Sequence, residues 1–340
     1  MSPTTDLCGD RMSTTDLFPH LIAGDRSALA RAITLVESER EADRVAAEAL
    51  VERCLARSGG AMRIGITGIP GVGKSTLIDA LGMHYVEAGH RVAVLAVDPS
   101  SGRSHGSILG DKTRMVRLSQ HPNAFIRPTA AGGMLGGLAR RTREVVLLCE
   151  AAGYDRVLIE TVGVGQNELE VDHLCDIGLL LTVAGTGDEL QGIKRGIMEA
   201  ADVVVLTKAG GDQAPRAEEA RQQLRSAIRL LPPRPSGRRP EVLLTDSLLD
   251  TGIRALAHHV ESLLATDRAN GYLEARRQEQ ALHWMHRAIE AGLRDLFRTH
   301  PAVIRELPRL EAAVRNGRTS PFAAAEELLN FLRTGDAPRS

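Results

Sequence analysis

The run Gly68-Ile69-Pro70-Gly71-Val72-Gly73-Lys74-Ser75-Thr76 constrains this chain more than any other stretch of it. It is a complete G-x-x-x-x-G-K-[ST], preceded by the apolar segment Arg63 to Thr67 and followed by a helical pattern from Leu77 onward. That context is strand, tight loop and helix, which a chance glycine-rich turn does not supply. Glycines let backbone N–H groups converge on phosphate oxygens, Lys74 brings a positive charge to the β- and γ-phosphates, and the Ser75 hydroxyl suits a Mg²⁺ ion. The expected ligand is a nucleoside triphosphate, with Lys74 assisting its hydrolysis.

The flanking sequence predicts an α/β fold of the P-loop NTPase type, a mostly parallel sheet with helices on both faces. Short runs rich in Val, Ile and Leu alternate with longer helical stretches. Expected strands are Arg63 to Thr67, Arg91 to Val97, Arg156 to Glu160, Gly178 to Val183, Val203 to Thr207 and Glu241 to Leu244. Before them the pattern is helical, with Asp25 as an N-cap and Leu29, Ile33 and Val36 on one face. Behind them helix returns: Met285, Ile289, Leu293 and Leu296 share a face, and Pro301, Pro308 and Pro321 are expected to divide the remainder into short helices. The expected organisation is a disordered tail over 1–13, a helical region over 14–60, the nucleotide domain over 61–255, a helical arm over 256–335 and a tail over 336–340. The words Thr4-Thr5-Asp6-Leu7 and Thr14-Thr15-Asp16-Leu17 repeat around Met12, which reads as the start. The thin arm is expected to pack on the central domain or on another subunit.

Two carboxylates stand at the carboxyl ends of expected strands, where a parallel sheet faces its ligand. Asp98 closes the second in Val97-Asp98-Pro99, and Glu160 the third in Glu160-Thr161-Val162-Gly163. Either is placed to meet Mg²⁺ or to orient attacking water, and the Gly163 N–H to meet a γ-phosphate. An aspartate before proline also serves as a plain turn former.

Composition removes other classes. With 42 basic residues against 43 acidic ones, the chain has no electrostatic reason to seek nucleic acid or an anionic membrane. Its longest apolar runs, Val92 to Val97 and Ile177 to Leu181, fall far short of the ~18 to 20 residues that cross a bilayer. Cys8, Cys54, Cys149 and Cys175 lie far apart, which supports neither a zinc knuckle nor a disulfide framework and points to a reducing, cytoplasmic location.

Longer words extend these motifs. The segments Gly68 to Gly82, Val94 to Ser101, Gly106 to Met115, Ala131 to Glu144, Leu148 to Asp155, Glu160 to Glu168 and Gly187 to Ile197 together resemble the MeaB/MMAA (ArgK-type) GTPases, chaperones of adenosylcobalamin-dependent acyl-CoA mutases. His300 to Val303 and Ser320 to Ala324 are similar to that family's C-terminal helical dimerisation arm. The resemblance implies binding of GTP and GDP with Mg²⁺, slow hydrolysis in isolation, a homodimer, and a mutase partner through which alone adenosylcobalamin is met. It implies Ser75, Asp98, Asp111 and Glu160 near the metal, with Asp111 on a switch segment. Asp188, Glu189, Gln191, Lys194 and Arg195 would form a further switch loop toward the mutase; by residue type alone that stretch reads as the solvated start of a helix. A metal-insertion NTPase and a nucleotide-binding scaffold with little turnover remain the alternatives.

One departure stands out. Where the family has N-K-x-D, whose aspartate accepts hydrogen bonds from guanine N1–H and its exocyclic amine, this chain has Thr207-Lys208-Ala209-Gly210. Lys208 keeps the stem that stacks on the base, and Thr207 keeps a hydroxyl, but Gly210 has no acceptor. Losing a charged acceptor is worth about 2 to 4 kcal/mol of guanine binding. Asp212, two residues on, is a candidate replacement, and the usual Ser-Ala beside the base is altered to Asp246-Ser247-Leu248.

Overall fold

The computed structural model describes residues 17–38, 40–98, 115–130, 135–161, 172–184 and 195–334. The expected tails over 1–13 and 336–340 lie outside them, as do Asp111, Gly163, Asp188, Glu189, Gln191 and Lys194. The chain divides into two compact units after Gln280.

The first unit opens with helices α1 (Leu17–Ile22), α2 (Arg26–Glu37) and α3 (Glu41–Leu55). Asp25 is the N-cap of α2: its Oδ1 accepts the N–H of Ser27 at 2.7 Å and of Ala28 at 3.2 Å. The face carrying Leu29, Ile33 and Val36 is buried, as the helical spacing requires.

The sheet comprises β1 (Met62–Gly68), β2 (Val92–Asp98), β3 (Ala124–Ala130), β4 (Arg156–Thr161), β5 (Ile177–Val183), β6 (Val203–Thr207) and β7 (Glu241–Leu244). Its order is β3-β2-β4-β1-β5-β6-β7, and every pairing is parallel. The strands therefore need cover on both faces. Alternate side chains divide between two cores: Leu179, Leu181, Val203 and Val205 join Ile64, Ile66, Leu77, Leu81, Leu256 and Val260 on one side. On the other, Leu180, Val204 and Leu206 meet Leu224, Ile228 and Val242.

The helices that cover the sheet follow in chain order: α4 (Lys74–Glu87), α5 (Val116–Gln120), α6 (Leu135–Ala151), α7 (Arg195–Ala200), α8 (Ala214–Ile228) and α9 (Ile253–Ala269). A long helix, α10 (Tyr272–Thr299), runs from the first unit into the second, which continues with α11 (Pro301–Arg315) and α12 (Pro321–Thr334). The first unit thus extends past residue 255, because α9 buries Leu256, Ala257 and Val260 in the main core.

Two details differ from expectation. β3 was not anticipated, because Arg127-Pro128 interrupts its apolar run; it pairs with β2 alone, at the edge of the sheet, the position in which a strand proline is tolerated. Pro308 lies inside α11 and does not end it. Val303 and Leu310 bury against Ala324 and Leu328 of α12, and that packing holds the helix across the lost backbone bond.

The amino ends of the central strands carry a buried ionic lattice. The Arg63 guanidinium lies 2.7 Å from Glu150, both fully buried. The Arg63 backbone N–H donates to Asp176 Oδ2 at 2.9 Å, and Arg277 from α10 closes on the same carboxylate at 2.7 Å. Next to it Asp172 accepts from Arg276 at 2.8 Å and from Arg234 at 3.1 Å. Arg234 also lies 3.0 Å from Asp202, whose Oδ2 takes the N–H of Gly178 at 2.9 Å. Burial pushes the Asp172 carboxyl up, but Arg276 and Arg234 together outweigh it and leave the group below the usual carboxylate range.

A depressed folded pKa means that the stability contributed by Asp172 is present above its unfolded value and disappears as pH falls through the folded one. Asp172→Asn is expected to lose about 2 to 4 kcal/mol at pH 7, since two guanidiniums are left facing an amide. Urea denaturation at several pH values checks this: the deficit against the parent chain should shrink as the pH drops below 3.8.

Candidate functional site

Strand order reverses around β1, which lies between β4 and β5, so a crevice opens beyond the carboxyl ends of these strands. The register sets what lines it. Ile66 of β1 is level with Glu160 of β4, and Glu160 is level with Ala96 of β2, two residues before Asp98. On the other side Gly68 is level with Leu181, Val183 with Thr207, and Leu206 with Leu244. Residues that lie between Ile66 and Leu244 in sequence thus end at one rim.

The loop 68–73 leaves β1 and enters α4 through Gly73 at φ +99°, with Gly71 at φ +79°. These left-handed values exclude most side chains and let successive N–H groups face inward. Lys74 is the first helical residue and is buried. Its ammonium donates to the carbonyls of Gly68 at 2.8 Å and Ile69 at 3.2 Å. Ile69, Pro70 and Gly71 are exposed while Val72 is buried beneath them, which anchors an otherwise outward loop. Thr76, half-buried, continues the helix into the core through Leu77 and Ile78.

Ser75 and Glu160 meet at this rim. The Ser75 hydroxyl donates to Glu160 Oε1 at 3.2 Å, and both residues are buried. A hydroxyl and a carboxylate at the end of the phosphate loop are hard oxygen donors, which fits Mg²⁺. Among the described residues no group of three or more His, Cys, Asp or Glu side chains could hold a metal ion; phosphate oxygens and water are hard donors of the same kind. Asp98 ends β2 at this rim, but only its backbone is described; Arg195 opens α7 under the same restriction.

On the far side, the loop after β6 is tied to the phosphate loop. Thr207 Oγ1 donates to the Val72 carbonyl at 2.6 Å and lies 3.2 Å from that of Thr182. Lys208 adopts φ +56°, uncommon for a residue with a Cβ, and its ammonium reaches the Gly71 carbonyl at 2.9 Å. Its stem therefore lies along the edge of the phosphate loop, where a base attached to those phosphates would meet it.

The loop after β7 completes this side. Ala209 N–H donates to the Thr245 carbonyl at 3.0 Å. Asp246 Oδ1 accepts the N–H groups of Leu248 at 3.0 Å and Leu249 at 3.1 Å, while Oδ2 accepts that of Gly210 at 3.0 Å. Ser247 is half-buried, Leu248 is exposed, and Asp212 is exposed in a 3-10 turn at Gly211–Gln213.

Sequence reasoning missed Asp79. On α4 it accepts the Leu118 N–H at 2.9 Å and Arg117 Nε at 2.9 Å, fixing α5 against the helix that carries Lys74. An acidic residue in an otherwise apolar stretch of helix was the available signal. No helix among the described residues is long and apolar enough to cross a membrane.

Comparison with known proteins agrees with this geometry. Residues 29–302 match the family model described as methylmalonyl Co-A mutase-associated GTPase MeaB. The methylmalonic aciduria type A homolog of Mus musculus, described as mitochondrial, is 44% identical over 94% of this chain and 79% of its own length. GTPase ArgK of Escherichia coli is 41% identical over 92% of this chain and 94% of its own. A crystal structure described as LAO/AO transport system kinase superposes with a TM-score of 0.74 at 34% identity, covering 96% of this chain and 99% of that one.

Lys74→Ala is expected to lower GTP hydrolysis by 100-fold or more, on the order expected for removal of a charge that stabilises the transition state. Phosphate release checks the rate, and an unchanged far-UV circular dichroism spectrum checks that the fold survives.

Proposed function

Because the chain belongs to the MeaB family of GTPases, we propose that it hydrolyses GTP to gate cofactor delivery to an adenosylcobalamin-dependent acyl-CoA mutase, and to protect that enzyme. The observation that carries the reading is the family match over residues 29–302, on a chain whose Lys74, Ser75 and Glu160 converge at one phosphate loop. The family description names a methylmalonyl Co-A mutase, and the mouse relative bears the name of methylmalonic aciduria.

In this reading the loop N–H groups of 68–76 and the Lys74 ammonium take up the charge that develops on the γ-phosphate oxygens. Ser75, Asp98, Asp111 and Glu160 would hold Mg²⁺, and the ion would supply positive charge against the phosphate oxygens. Glu160 orients the attacking water, and Gly163 presents its N–H to the γ-phosphate. Asp188, Glu189, Gln191, Lys194 and Arg195 report nucleotide state to the mutase. The protein acts in the cytoplasm.

It acts there as a homodimer, supported by the second unit. Leu282, Met285, Ile289, Leu293 and Leu296 recur along α10 at helical spacing and are each about half exposed or more. An apolar stripe of that length on a soluble chain calls for a cover, and a second copy supplies a matching one.

Two measurements test these proposals. Calorimetry with GDP, ADP and a non-hydrolysable GTP analogue should show guanine nucleotides bound more tightly, and an adenosylcobalamin-dependent acyl-CoA mutase should accelerate GTP turnover; a mutase without effect on turnover would sink the partner assignment. Leu293→Glu should convert the dimer into a monomer at micromolar concentration by light scattering, with nucleotide binding retained.

A further inference from the structure

We infer that Asp246, on the loop after β7, is the residue that selects guanine in this chain, in place of the side chain that Gly210 lacks. The inference deepens the proposed GTP-dependent function and rests on it. A Cβ built on Gly210 would lie 2.7 Å from Asp246 Oδ2, 3.1 Å from Asp246 Cβ and 2.6 Å from Leu249 Cδ1. The space into which a side chain at 210 would project is thus filled, and what fills it is a carboxylate. Glycine at 210 is not merely a lost acceptor; it is the residue that makes room for an acceptor arriving from the neighbouring strand.

Asp246 is held for that task. Leu248 N–H and Leu249 N–H fix Oδ1, and Gly210 N–H fixes Oδ2. The Asp246–Thr251 backbone bridge closes the loop behind it. A carboxylate has about four lone-pair sites, and these three bonds leave one on Oδ2, beside the Lys208 loop. Lys208 and Thr207 are bonded to Gly71 and Val72, so the loop that positions Asp246 Oδ2 is itself fixed to the phosphate loop. The Watson–Crick edge of guanine carries adjacent donors, N1–H and the 2-amino group, which suit an open carboxylate lone pair. Adenine offers an acceptor at N1, which the same carboxylate repels. Asp212, exposed on the 3-10 turn, has no comparable placement against Gly210.

The test uses the full chain and calorimetry with GDP, ADP and xanthosine diphosphate, whose base carries a carbonyl where guanine has the amine. The parent chain should prefer GDP. Asp246→Asn should lose GDP affinity by about 10- to 100-fold, the range for a charged hydrogen bond, and gain in its ratio of xanthosine diphosphate to GDP. The double change Gly210→Asp with Asp246→Ser returns the carboxylate to the β6 loop, removes the Oδ2 that would meet the new Cβ, and leaves the flexible end of Leu249 and the Cβ of residue 246 to give by a few tenths of an ångström; it should restore GDP preference. An unchanged ratio in Asp246→Asn, or equal losses for all three nucleotides, overturns the assignment. Loss of GDP preference in Asp212→Ala with Asp246→Asn unaffected overturns it in favour of Asp212. A parent chain that binds ADP as well as GDP brings down the guanine reading itself, and this assignment with it.

Discussion

The placement of β1 is the constraint on which everything else in the first unit depends. At its amino end the Arg63 side chain is locked to Glu150, and its backbone to Asp176. At its carboxyl end the chain turns directly into the phosphate loop. Neighbours β4 and β5 flank it, so a shift along β1 by one residue would exchange side chains between its two buried faces and displace the phosphate loop that follows it. Ions this deeply buried are expensive to desolvate, and their net worth in stability is small or negative compared with an apolar pair. In the observed alignment Arg63, Asp176 and Arg277 are satisfied together, which ties the start of β1 to the start of β5 and to α10.

Much of this was legible in the sequence, for identifiable reasons. The phosphate loop, six of the seven strands to within about a residue, and the Asp25 cap are local signals: a motif, an apolar run, an N-cap before a periodic face. What the sequence concealed is non-local. β3 is polar enough at Arg127-Pro128 to hide, and becomes a strand because β2 offers a free edge. Glu150, Asp172, Asp176 and Asp202 read as ordinary surface acids until the fold brings four arginines to them. The role of Asp246 depends on a register between β6 and β7 that no spacing reveals.

The candidate site follows the same division. The proximity of Ser75 and Glu160 follows from local signals: the motif puts Ser75 in the first turn of α4 just past β1, Glu160 lies near the end of β4, and parallel strand ends converge. The bond from Thr207 to Val72 was not, since it joins residues 135 positions apart through a hydroxyl that sequence alone would leave pointing anywhere. It makes the base side and the phosphate side of the crevice one mechanical piece, with Lys208 as its second tie.

The ionic lattice lies at the amino ends of the strands and the ligand rim at their carboxyl ends, about a strand length apart. The lattice therefore reaches the ligand rim only through the placement of β1, and touches neither the phosphate loop nor the base side directly. Proteins in which strained or charged catalytic groups also hold the core together must trade robustness against activity. Here the two groups stand at opposite ends of the strands, so a substitution in the lattice that keeps β1 in place changes durability at residues a bound nucleotide does not touch.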